Sequence, residues 1–259
     1  MKRSKITILL AIVLGMTFHS CLDLEPQDQL GGKNMWTSVN DYKQFANTFY
    51  SWTRDFSSVV YDGTHSDKRS DLITYQSYNE FSRGINSIPS SDANYTDNYK
   101  HIRRTNLLLQ NAEAYAKPED IKQYIGEAYF FRAYSYFDLL QLYGDVIITK
   151  KPLDITDPEM KVKRNDRSEV VDLIIDDLNH AVENLPAFKE LTTEEEGRIS
   201  KEGAQAFLSR VALYEGTWQK SRNGNQNTQR SANLLDIAAK AARTVIDAKY
   251  GYTFRLFGT

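Results

Sequence analysis

Between Ser66 and Phe81 the chain reads SDKRSDLITYQSYNEF, and six of its side chains suit one kind of ligand. Tyr75 and Tyr78 offer flat amphipathic rings of the kind that serve as core, interface or sugar platform. Asp67, Arg69, Asp71 and Asn79 offer paired donors and acceptors for neighbouring hydroxyls, the few oriented polar groups a small-molecule site requires. The same residues would also serve in an ordinary surface loop with a structural tyrosine. From Ser57 to Ser91 the chain mixes charge and turn formers without a sustained period. A long irregular segment inside a compact domain is disproportionately a functional one.

Other chemistry finds little support. His65, His101 and His180 share no ligand spacing, and no pair of cysteines accompanies them, so no zinc motif forms. DITDPEMKVKRND lacks the central glycine and terminal glutamate of a calcium loop. No G-x-S-x-G, H-E-x-x-H or phosphate-cradling glycine loop occurs. Asp176–Asp177 and Glu194–Glu196 read as solvated faces rather than a glycosidase pair, because catalytic carboxylates need burial to tune their acidity. The expectation is a binding protein without enzymatic activity, metal or cofactor.

One thiol remains, Cys21, directly behind an apolar run. Lys2, Arg3 and Lys5 precede ITILLAIVLGMTF, a positive start and a short apolar stretch, too short for a permanent span of about 20 residues. With Ser20 before Cys21 the segment resembles a lipobox, so residues 1–20 are expected to be a lipoprotein signal peptide. Residues 21–36 would then be the lipidated Cys21 and a tether. The competing expectation is simple cleavage with a leftover thiol. Loss of Lys2, Arg3 and Lys5 takes 32 Lys and Arg to 29 against 34 Asp and Glu, and the formal charge from −2 to −5. A mildly acidic chain without a basic face does not point to nucleic acid. Lipid would hold it at a membrane.

The elements that position these residues are helical. Ser38 and Asp41 make a capping box ahead of Tyr42, Phe45, Phe49, Trp52 and Phe56 on one face. A second helix is expected from Asp92 through Leu109. A third follows Pro118 with the stripe Tyr124, Ala128, Phe131, Ser135, Leu139 and Leu142, and stops at Gly144. DVIITK reads as a short strand. Asp166 and Glu169 cap a fourth helix that ends at Pro186, a fifth starts at Ser200, and a sixth carries Leu234, Ala238, Ala241, Val245 and Ala248. Ala128, Arg132 and Tyr136 recur as Ala206, Arg210 and Tyr214, near twice a repeat of roughly 34 residues. Arg132 and Arg210, on apolar faces, should meet buried carbonyls or carboxylates.

Six blocks then occur in order: the Cys21 segment with LDLEP; W-x-S-x-x-D-Y at Trp36 to Tyr42; YKHIRRTNLLL; GEAYFFRAYSYFDLLQLYGDV; RNDRSEVVDLIIDDLNHAVENLP; and RISKEGAQAFLSRVALYEGTW. This series resembles the N-terminal part of SusD/RagB-family outer-membrane lipoproteins. The resemblance implies a mostly α fold of tetratricopeptide-like helix pairs with long irregular loops, spanning 37–259 and incomplete at its C-terminal side. It also implies a surface-facing, lipid-anchored place on the outer membrane, with Asp23 and Glu25 matching an acidic export segment after the lipidated cysteine. The implied partners are a SusC-type TonB-dependent transporter and an oligosaccharide or peptide, and loops before the YKHIRRTN-like helix would face the ligand. A lipid-anchored helical-repeat scaffold for protein partners stays open beside this reading.

Overall fold

In a computed structural model of the chain, residues 35–54, 67, 72, 79–154, 156–222 and 228–248 are described. The signal and lipidation segment, Phe56, and the terminal YGYTFRLFGT lie outside them. The chain divides into two units, residues 1–35 and 36–259. Among its described residues the second contains six α-helices: α1 Val39–Asn47, α2 Ala93–Glu113, α3 Lys122–Tyr143, α4 Arg167–Asn184, α5 Lys201–Arg222 and α6 Thr228–Asp247. From α2 onward, each packs against the next in sequence, the layered helix-pair arrangement the spacing predicts. No helix among the described residues is long and apolar enough to cross a membrane.

Local chemistry accounts for the boundaries. Ser38 caps α1, with Asp41 returning the bond to the Ser38 amide at 2.8 Å, and a 3-10 turn Thr48–Trp52 continues it. Asp166 and Glu169 form the expected capping box of α4. Pro118 opens a 3-10 turn that leads into α3 rather than opening the helix itself. At the end of α3, Gly144 sits at φ 73°, ψ −106°, a conformation side chains resist, so glycine is required there. Helices α5 and α6 meet at Gly216, where an added Cβ would lie 3.0 Å from Leu235. Ser231 Oγ donates to the Gly216 carbonyl at 2.8 Å across this approach.

The core is aromatic. Phe131, Tyr136, Phe49 and Tyr42 are fully buried, and Phe130 and Phe137 nearly so, while Tyr129 and Tyr134 are half-buried at the edges of α3. Burying rings of this size supplies roughly 2–3 kcal/mol each. Most of the aromatic residues around α3 therefore serve packing.

Two expectations fail here. DVIITK forms no strand: the described residues contain a single antiparallel bridge, Val146 with Asn165. The segment is held by side chains instead. The carbonyls of Ile147, Thr149, Lys151 and Leu153 accept from Tyr99 Oη, Asn106 Nδ2, Asn106 Nδ2 and Arg103 Nε of α2, at 2.8, 2.9, 3.3 and 3.4 Å. Side-chain donors have replaced the neighbouring strand that a ladder would need. The Ala–Arg–Tyr echo also lacks a structural counterpart, since Arg132 is buried and Arg210 and Ala206 are exposed.

The largest surprise is Asp177, expected on a solvated face and found fully buried. Arg132 forks onto it, Nε to Oδ2 at 2.8 Å and one terminal nitrogen to Oδ1 at 2.6 Å, while the other terminal nitrogen reaches Asn106 Oδ1 at 2.8 Å. One guanidinium thus joins α2, α3 and α4. Glu127, Arg198, Asn47 and Tyr50 form a second such cluster between α1, its 3-10 extension, α3 and the entry to α5.

Candidate functional site

Helix α2 begins beside a recess of about 170 Å³. Asp92 caps the helix by accepting from the Asn94 amide at 2.9 Å, and its other oxygen accepts from Tyr143 Oη at 2.7 Å. One and two turns further on, Asp97, Asn98 and His101 face the recess. From the other side come Trp52 and Arg54, at the end of the α1 extension, and Asp138 of α3. Arg54, at the end of the α1 extension, and Ala93, the first residue of α2, both line this recess.

The geometry is chemically specific. Trp52 and His101 stack with ring centroids 4.1 Å apart and planes within 14°. Asp138 accepts from Arg54 on one oxygen and from Asn98 Nδ2, at 2.9 Å, on the other. Asn98 also reaches the Asn94 carbonyl at 2.8 Å. Flat rings beside forked amide, guanidinium and carboxylate groups are the groups that hydroxyl-rich ligands engage.

Burial pushes the His101 imidazole down to about 4, with Arg104 and Lys100 adding to the effect and Asp97 opposing it. The ring is therefore neutral at pH 7, with one nitrogen donating and one accepting. Because its folded value lies below the unfolded one, near 6.5, the unfolded chain binds more protons between pH 6.5 and 4. Stability is thus expected to fall as the pH drops through that window, by about 1–2 kcal/mol once solvent screening of a half-exposed ring is allowed for. Urea denaturation at pH 7 and pH 4.5 measures it. His101→Gln should remove this part of the pH dependence, and an unchanged slope in that variant would refute the assignment.

Of the six residues expected to touch ligand, Arg69, Asp71, Tyr75 and Tyr78 lie outside the described residues. Asp67 is exposed. Asn79 is half-buried, and its side-chain oxygen accepts from the Phe81 amide at 2.9 Å, which makes it a turn former. The recess residues themselves were not anticipated. In the sequence Trp52 fits a packing stripe and His101 shares no ligand spacing with the other histidines. Two signals pointed to them: Trp-x-Arg just where the period fails, and Asp138 as an acid within the apolar run of α3. Among the described residues, no group of three or more His, Cys, Asp and Glu is placed to hold a metal ion.

Residues 22–213 match the model of a SusD-like family described as starch-binding and associating with the outer membrane. Among curated relatives, SusD-like protein P38 of Formosa agariphila is 28% identical over 233 residues, covering 82% of this chain and 42% of that protein. SusD-like protein P2 of the same organism is 28% identical over 238 residues, covering 85% and 45%. A crystal structure of a SusD-like protein from Bacteroides fragilis superposes with a TM-score of 0.66 at 25% identity, over 87% of this chain and 41% of that one. A SusD-like carbohydrate-binding protein from the same species shares the fold, with a TM-score of 0.60 at 19% identity over 83% and 41%. The chain spans less than half the length of these relatives. With most of its length matched in sequence and its helix pairs matched in space, the chain belongs to the SusD-like family.

Proposed function

We propose that this chain is the helical part of a non-catalytic surface receptor. It captures an oligosaccharide and passes it to a SusC-type TonB-dependent transporter in the outer membrane. Lipid on Cys21 holds it at the outward face, behind a signal peptide of residues 1–20 and a tether to residue 36. The observation that carries the reading is the recess where Arg54, Asn98 and Asp138 meet beside stacked Trp52 and His101. Asp67, Arg69, Asp71, Tyr75, Tyr78 and Asn79, which lie in sequence between Arg54 and Ala93, are the further residues assigned to the ligand. The family's description as starch-binding supports a sugar rather than a peptide.

A glycan array followed by calorimetry on the full-length protein tests this. A neutral oligosaccharide is expected to bind, and the double variant Tyr75→Ala/Tyr78→Ala to weaken it at least tenfold, about 1.4 kcal/mol or more, with thermal unfolding unchanged. Failure to bind any glycan, with the transporter still co-purifying, would favour a protein-interaction scaffold and reject the proposal.

A further inference from the structure

On another face of α2 lies a larger groove, of about 480 Å³. Tyr95, Tyr99 and Arg103 form its helical wall, one turn apart, and Ile147 and Leu153 of the side-chain-tethered segment form the other. Its lining is mainly apolar. Tyr95 and Tyr99 hold their rings 4.8 Å apart, and Tyr143 packs edge-on against Tyr95 at 5.2 Å. Tyr99 Oη is bonded to the Ile147 carbonyl, so its ring is fixed against the wall before any ligand arrives.

The charges at this groove run against those of the chain. The whole sequence carries −2, yet Lys100, Arg103 and Lys151 line the groove against a single acid, Glu159. Lys100 is met by Asp97 at 2.8 Å and Lys151 by Glu159 at 2.7 Å. Arg103 has no such carboxylate among the described residues. It is exposed, and its Nε makes one long bond, 3.4 Å, to the Leu153 carbonyl. Its two terminal nitrogens form a fork whose natural complement is a carboxylate or a sulfate ester.

We propose that this groove is a second sugar subsite, selective for a monosaccharide unit bearing an anionic group. Its C–H face would lie on Tyr95 and Tyr99 and its acid group on Arg103. A volume near 480 Å³ is within the range of sites that take small oligosaccharide-sized ligands. The fixed tyrosines lower the ordering cost of binding. The subsite does not depend on the recess at the start of α2, because different side chains of the helix build each.

The test is calorimetry on the full-length protein with three probes of one linkage: digalacturonate, neutral digalactose and 6-O-sulfated digalactose. At least one anionic probe is expected to bind tenfold or more tightly than the neutral one, and to weaken as salt rises from 50 to 300 mM. Whichever anion prevails supports the proposal and names the acid group. Arg103→Ala should abolish the preference, Arg103→Lys should keep part of it, and both should unfold at the wild-type temperature. The Tyr75→Ala/Tyr78→Ala variant should retain the preference, which separates this outcome from failure of the neutral-glycan reading. Equal affinity for all three probes, no binding of either anion, or a preference that survives Arg103→Ala would overturn it.

Discussion

Asp177→Ala is expected to lower the unfolding free energy by about 3–5 kcal/mol, because it strands the Arg132 guanidinium in a dry interior. Arg132 contacts Asp177 twice and Asn106 once, so three helices lose their common junction. Truncation also leaves two buried guanidinium donors without their acceptor. The pair Arg132→Met/Asp177→Leu should be less damaging than the single change, since both charges leave together and the volume is refilled. Urea unfolding followed by circular dichroism reads both variants. A single-variant loss below 1 kcal/mol, or a double variant worse than the single, would contradict this account.

The second large effect is expected at Glu127, which is fully buried. Arg198 donates to both of its oxygens, at 2.8 and 2.6 Å, to Asn47 Oδ1 at 2.5 Å, and lies over the rings of Tyr50 and Tyr124. Glu127→Ala should cost about 3 kcal/mol, toward the low end for buried pairs, because Arg198 sits nearer the surface and can reach water. It should also weaken glycan binding. The α1 extension carries Trp52 and Arg54, and its Tyr50 hydroxyl accepts from the Ile199 amide at 3.0 Å within the same cluster. Glu127→Gln should recover part of the stability. Binding unaffected in a destabilised but folded Glu127→Ala protein would separate the cluster from the recess.

Helix starts and stops were legible because they depend on a few neighbouring residues. Ser38 with Asp41, Asp166 with Glu169, and Gly144 each act within one turn, and the structure places them as their types dictate. What failed depended on distant partners. DVIITK has the composition of a strand, but Asn106 and Tyr99, more than 40 residues away, take its carbonyls. Asp177 looks like its exposed neighbour Asp176 until Arg132 is placed 45 residues away opposite it. Arg210 copies the setting of Arg132 in sequence, but α5 turns that face outward. The recess was not legible in the sequence, and most of the loop residues expected to touch ligand lie outside the described ones. Trp52, Asn98, His101 and Asp138 come together through packing among α1, α2 and α3, and periodicity assigns such residues to the core or to solvent without pairing them.

The bond between Asn47 and Arg198 joins residues 151 positions apart, and that between Tyr50 and Ile199 spans 149. Such a link has an order of events built into it. Successive helices from α2 to α6 can pair as soon as each neighbour exists, through short connections that close quickly. Helix α1, made before all of these, has to wait for Arg198 and Ile199 before it is fully fastened. Each doubling of a closed loop adds only about 0.6 kcal/mol, so the delay weighs on the rate of assembly far more than on its endpoint. The earliest of these six helices to emerge is thus the latest to be locked, and the recess that opens beside it is completed last.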